Sequence, residues 1–151
     1  MEKINSFKLN HKTLLPGIYI SSISNDITTY DLRLKKPNTS QLSTASIHSF
    51  EHLLATVLRN GNIKNNIVYV GPMGCRTGFY ILTVNLNCDI FLENLKKALL
   101  FIINDCAEMY GKSEEECGFY KDLSLEKGKK TAALAYKIVK DKKVITNYQK
   151  I

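Results

Sequence analysis

Ile67-Val68-Tyr69-Val70-Gly71-Pro72-Met73-Gly74-Cys75-Arg76-Thr77-Gly78-Phe79-Tyr80-Ile81-Leu82-Thr83-Val84-Asn85-Leu86 reads as a strand, a tight turn and a second strand. The opening four residues are β-branched or aromatic, a composition that predicts a buried strand. Gly71-Pro72-Met73-Gly74 supplies the turn, and the run from Phe79 to Leu86 supplies the returning strand. Upstream, Ile18-Tyr19-Ile20 and Tyr30-Asp31-Leu32-Arg33-Leu34 predict two further strands around an Asn25-Asp26 turn, the second alternating with period two. Residues 38–43 are polar and loop-like. A helix is predicted over 44–59, with Leu54, Val57 and Leu58 on its apolar face and Asn60-Gly61 as its stop. Downstream, Asp89 is a candidate cap for a long helix over 90–110, where Phe91, Leu95, Leu99, Ile102 and Ile103 recur at helical spacing and Gly111 ends the run. An acidic connector, 113–117, leads to a last helix over 124–139 that Gly128 interrupts. The expected fold class is α+β, a mostly antiparallel sheet packed against helices, in a single compact domain of residues 1–151.

The composition agrees with a globular domain: 44% of the 151 residues are hydrophobic and 23% charged, near the average for folded chains. No apolar run is long enough for a membrane span, and the N-terminus lacks the apolar core of a signal peptide. The formal net charge of +7 invites a polyanionic partner. Its distribution argues otherwise. Residues 1–120 carry 12 basic and 11 acidic side chains, whereas residues 121–151 carry 9 and 3. The excess is lysine along one helix and a tail, without the arginine and aromatic interleaving that grips bases, so a solvated face and no nucleic-acid or membrane partner are expected. The four cysteines form no CxxC pair, and free thiols in a reducing cytoplasm are expected.

The chemistry-bearing pattern is His48-Ser49-Phe50-Glu51-His52, an H-x-x-E-H inside the predicted helix. Histidines four apart share a helical face, so both imidazoles reach one metal ion, and Glu51 stands at the same edge as a general acid/base rather than a ligand. Two surface histidines and a glutamate would be the unremarkable alternative, but the chain has only three histidines, at 11, 48 and 52. A catalytic divalent site ordinarily takes three protein ligands. The third is sought among Asp, Glu or Cys elsewhere. Cys117, followed by Gly118 on an irregular loop, is one choice; Cys106, assigned to the long helix, and Cys88, at a strand end, are less suited. Cys75 sits in the glycine-flanked turn, either as a small hydrophobe or as a thiol that Arg76 or a nearby metal would push toward thiolate.

Several separated segments resemble the S-ribosylhomocysteine lyases, the LuxS family. Ser6-Phe7 with His11 is similar to the family's S-F-x-x-x-H, and Tyr30-Asp31-Leu32-Arg33 to its F-D-[IL]-R. The stretch from Ile47 to Leu53 resembles I-H-T-L-E-H-L, and that from Pro72 to Tyr80 resembles P-M-G-C-[RQ]-T-G-[FY]-Y. Glu116-Cys117-Gly118 resembles Q-C-G, and Leu123-Ser124-Leu125-Glu126 resembles the D-L-E that follows. The match covers about residues 6–130 in order. It implies a divalent metal on His48, His52 and Cys117, Fe(II) in the cell with Zn or Co as substitutes. It implies Cys75 and Glu51 as the acid/base pair, Ser6, His11 and Arg33 on the ribose side of the pocket, and Arg59 at the homocysteine end. It implies a cytoplasmic homodimer with two sites at the interface. The implied reaction moves a carbonyl along the ribose and then β-eliminates homocysteine, leaving 4,5-dihydroxy-2,3-pentanedione, the autoinducer-2 precursor of quorum sensing and a by-product of the methyl cycle. The chain departs from the pattern at Tyr69-Val70-Gly71, where the family commonly has Asp-Ile-Ser, and at Ser49-Phe50, where Thr-Leu is usual. An H-x-x-E-H hydrolase, with Glu51 activating water and Cys75 idle, is the competing enzymatic expectation. A basic module with a closed structural metal site is the non-enzymatic one.

Overall fold

The computed structural model describes residue 2 and residues 5–148. After a short turn of helix, α1 (Asn5–Lys8), come strands β1 (Gly17–Ser24) and β2 (Ile27–Arg33), helix α2 (Thr44–Asn60), strands β3 (Ile67–Pro72) and β4 (Gly78–Val84), helices α3 (Cys88–Asn104) and α4 (Leu125–Val139), and strand β5 (Thr146–Asn147). The sheet order is β3-β4-β2-β1-β5. All pairings are antiparallel except β1 with β5, which run parallel. The expected α+β class and single compact domain are what is found.

Strand alternation decides which face meets the helices. Tyr30 and Leu32 of β2 and Phe79 and Ile81 of β4 enter the core beneath α2, α3 and α4. Tyr30 stacks on Phe91 of α3 with ring centroids 4.0 Å apart, and Phe79 meets Phe50 of α2 edge-on at 5.0 Å. Each such buried aromatic or leucine contributes roughly 1.5–3 kcal/mol of hydrophobic stabilisation. The residues between them, Asp31 and Arg33 of β2 and Tyr80 of β4, therefore leave from the face turned away from the helices.

Several boundaries move from their expected places. β3 is an edge strand with Val68 and Tyr69 exposed, so its apolar run is not buried throughout. The turn lies two residues later than expected, after β3 has run through Pro72. The β3–β4 connection is closed by Met73 N donating to Gly78 O at 2.9 Å and Arg76 N to Met73 O at 2.8 Å. α3 begins under an Asn87 cap, whose side chain accepts from Asp89 N and Ile90 N, so Asp89 is in the first turn and not the cap. α3 ends at Asn104. Cys106 lies past it, buried, its thiol donating to Glu108 O. Cys88, expected at a strand end, opens α3 and accepts from the Tyr30 hydroxyl at 3.4 Å.

Gly128 does not interrupt α4, which is continuous. A Cβ there would sit 2.5 Å from Leu53 Cδ1 and 3.3 Å from Ser49 O, so the glycine lets α4 cross α2 at close range. Ser124 caps α4 through Lys127 N, and its own N–H donates to Ser49 Oγ at 2.9 Å. No helix among the described residues is long and apolar enough to cross a membrane.

Candidate active site

On the helix side, α2 turns Ile47, Phe50, Leu53 and Leu54 into the core and leaves His48, Glu51 and His52 half-buried on the adjoining face. The loop between α3 and α4 folds back over that face. His48, His52 and Cys117 each offer a ligand atom, and the three atoms lie within 4.8 Å of one another. Cys117 Sγ is 3.3 Å from His48 Nε2. The Cys117–His48 spacing is that of two ligands of one ion, since ligand bonds of about 2.0–2.3 Å at tetrahedral angles place donor atoms about three to four ångströms apart, and the full triad lies close to that range.

The outer partners decide which ring nitrogens remain for that ion. His48 Nδ1 donates to Asp122 Oδ1 at 2.6 Å, and His52 Nδ1 donates to the Tyr110 carbonyl at 3.0 Å. These contacts occupy both Nδ1 atoms and leave the Nε2 edge of each ring on the side of the ion. Phe119 N donates to Cys117 Sγ at 3.4 Å. Gly111 makes the His52 contact possible. It has φ +65, and a Cβ on it would come within 2.9 Å of His52 Nδ1. Glu51 Oε2 stands 3.9 Å from His52 Nε2, at the edge of the triad. Two imidazoles and one cysteine sulfur form a donor set suited to Zn, Co or Fe. Of the thiols weighed as third ligand, Cys117 is the one brought to the histidines.

The second cluster lies on the opposite face of the sheet. Cys75 borders a cavity of about 720 Å³ whose walls include Phe7, His11, Arg33, Thr77 and Tyr80. None of His48, Glu51, His52 or Cys117 lines it. Thr77 Oγ1 lies 3.0 Å from Cys75 Sγ and accepts from Arg33 Nη1 at 2.6 Å, and the same Nη1 is 3.9 Å from the sulfur. Partial burial pushes the Cys75 thiol up, but hydrogen bonds from Thr77 and the Arg33 charge outweigh it, and the thiol sits below its ordinary value. The guanidinium is thus Arg33, 42 residues upstream, and not the neighbouring Arg76 that the sequence suggested. Arg76 takes a left-handed turn conformation, φ 58.

Arg33 is 3% exposed and paired through Nη2 with Asp31 Oδ2, itself 0% exposed. Burial opposes the guanidinium charge, but Asp31 more than offsets it and Arg33 stays cationic. His11 donates from Nδ1 to Leu9 O at 3.0 Å and faces the cavity with its other edge. The side chain of Ser6 lies outside the described ones. Arg59 stands apart from both clusters, in the last turn of α2, with Nη2 donating to Val68 O at 3.3 Å. At the departure from the family pattern, the Tyr69 hydroxyl occupies the space a Cβ on residue 71 would need, so Tyr69 and Gly71 form a matched pair. Sequence reasoning missed Asp122, Tyr110 and Asp31. For Tyr110, the glycine that follows it was the available signal.

A family model described as S-Ribosylhomocysteinase (LuxS) matches residues 4–147. The chain is 44% identical over 135 residues to an S-ribosylhomocysteine lyase of Finegoldia magna, covering 85% of this chain and 86% of that one. It is 42% identical over 153 residues to the S-ribosylhomocysteine lyase of Clostridium acetobutylicum, covering 94% and 97%. A Desulfotalea psychrophila lyase of the same name is 36% identical over 148 residues, 93% of each chain. With its metal-suited triad and its cysteine cluster in the matched segment, the chain belongs to the S-ribosylhomocysteinase (LuxS) family.

Proposed function

We propose that the chain is an S-ribosylhomocysteine lyase that uses Cys75 and Glu51 as its proton carriers. The observation that carries this is the His48–His52–Cys117 triad with Glu51 at its edge, in a chain of this family. A divalent ion held there, Fe(II) in the cell with Zn or Co as substitutes, supplies Lewis-acid polarisation of the sugar carbonyl and so acidifies the adjacent C–H. Glu51 takes and returns protons on the side of the triad. Cys75, its thiol held below its ordinary value by Thr77 and Arg33, does so from the other side. Carbonyl migration needs a proton removed from one carbon and delivered to its neighbour. Once the carbonyl stands two carbons from the sulfur-bearing carbon, removal of the proton on the carbon between them forms the C=C bond and expels homocysteine as its thiolate, the C–S electron pair leaving with the sulfur. His11, Arg33 and Ser6 hold the ribose hydroxyls, and Arg59 the homocysteine end.

The two clusters leave opposite faces of one sheet, which favours a homodimer in which the Cys75 cluster of one copy meets the triad of the other. The acidified Cys75 favours the lyase over an H-x-x-E-H hydrolase, where that thiol has no task. The test is release of homocysteine from S-ribosylhomocysteine by protein purified anaerobically with Fe(II), followed with a chromogenic thiol reagent. Metal-loaded protein that releases no homocysteine would refute the reading.

A further inference from the structure

The C-terminal segment matched no motif in the sequence, yet its Tyr148 meets the charged pair behind Cys75. β5 pairs Thr146 with Tyr19 and Asn147 with Ile20 of β1. That pairing lays Tyr148 over the helix-free face, its ring centroid 5.5 Å from that of Tyr19. The Tyr148 hydroxyl donates to Asp31 Oδ2, the same oxygen that accepts from Arg33 Nη2. Asp31 Oδ1 and Arg33 Nε, both buried, have no partner among the described residues. The pair is therefore held in a single-pronged contact, which leaves Nη1 for Thr77 and the Cys75 sulfur.

We propose that Tyr148 is a positioning residue for Cys75: its hydroxyl fixes the Asp31 carboxylate, and through it the orientation in which the Arg33 guanidinium faces the Cys75 sulfur. The role of Cys75 it serves rests on the lyase reading. An unsatisfied carboxylate beside a guanidinium tends toward the two-pronged fork, with both oxygens engaged. Without the Tyr148 donor, Asp31 draws Arg33 into that fork, and Nη1 turns away from Thr77 and Cys75. The thiol then loses the cation that stabilises its charged form. The titratable and charged groups around this network are Arg33 and Asp31 on β2, Tyr80 on β4, Tyr19 on β1, His11 from the N-terminal loop, and Tyr148 itself. Burial and the Asp31 charge push the Tyr148 phenol well up, so it remains a donor across the working range.

The experiment measures iodoacetamide alkylation of Cys75 in the full-length, metal-free protein against pH, quantified on the Cys75 peptide by mass spectrometry. Y148F deletes only the donor. Y19F deletes a neighbouring hydroxyl that bonds Leu15 O instead. In Y148F the alkylation midpoint should rise by about half a unit, slowing the reaction at neutral pH by about threefold. In Y19F it should not move. An unmoved midpoint in Y148F, or equal shifts in both variants, would overturn the proposal, since a merely structural tyrosine lowers thermal stability without selecting between the two. The assay needs neither substrate nor metal, so its failure leaves the lyase reading standing, and failure of homocysteine release leaves the alkylation result standing.

Discussion

The two clusters are built by opposite means. The triad side is half-exposed and assembled by helix periodicity and a loop: α2 sets His48 and His52 one turn apart, and Asp122 and Tyr110 orient their rings. The sheet side rests on a buried charged pair: Asp31 and Arg33, with Tyr148 bonded to Asp31, pass their effect to the exposed Cys75 through Thr77. The first can lose a member and keep its fold. The second cannot lose Asp31 or Arg33, because that pair is also part of the packed interior.

Substitutions on each side test that contrast. C75A should lower turnover by about 10²–10⁴-fold, the usual contribution of a positioned acid/base, while metal content measured by mass spectrometry stays at the wild-type level. H52A should abolish metal retention, and turnover with it, with a stability change of about 1 kcal/mol in metal-free protein. R33M should cost about 3–5 kcal/mol in denaturant unfolding, because it strands a buried carboxylate. If H52A and R33M destabilise metal-free protein equally, the contrast drawn above is wrong. D122N should weaken metal binding by about 10–100-fold in chelator competition, since His48 loses the partner that fixes its tautomer. The smallest effect is expected from T77V, which removes one of the groups that hold the Cys75 thiol down. Its alkylation midpoint should rise by about half a unit, and a fall would reverse the sign of the argument.

The same contrast explains what could be read in the sequence. α2 was legible because its apolar positions and its two histidines obey one period, so the fold and the triad face are the same signal. β2 was legible as a strand, but alternation could not reveal that its off-core residues, Asp31 and Arg33, are buried as well. Charged residues at alternate positions ordinarily predict a wet face. Arg76 was the nearest guanidinium to Cys75 along the chain, and Arg33 is the nearest in space, because β2 pairs with β4 and brings Arg33 opposite Gly78. The end of α3 was overrun because Cys106 and the apolar residues up to Tyr110 continue a helical spacing after the backbone has left the helix. β5 has only two residues in a lysine-rich stretch and shows no alternation at all. Asp122 carries no local pattern, and only the tertiary fold brings it to His48, 74 residues away.

Ser49 has a consequence for anyone transplanting this chemistry. Its hydroxyl donates to Ala45 O at 2.6 Å and accepts from Ser124 N at 2.9 Å, with no exposure to water. The second letter of H-x-x-E-H is thus a rivet between the helix that carries the histidines and the helix that follows the Cys117 loop. Copying only the histidines and the glutamate onto a new scaffold would yield two ligands and leave the third adrift. A graft that keeps a hydroxyl at this letter, together with the glycine that lets the second helix approach, carries the whole three-point grip with it.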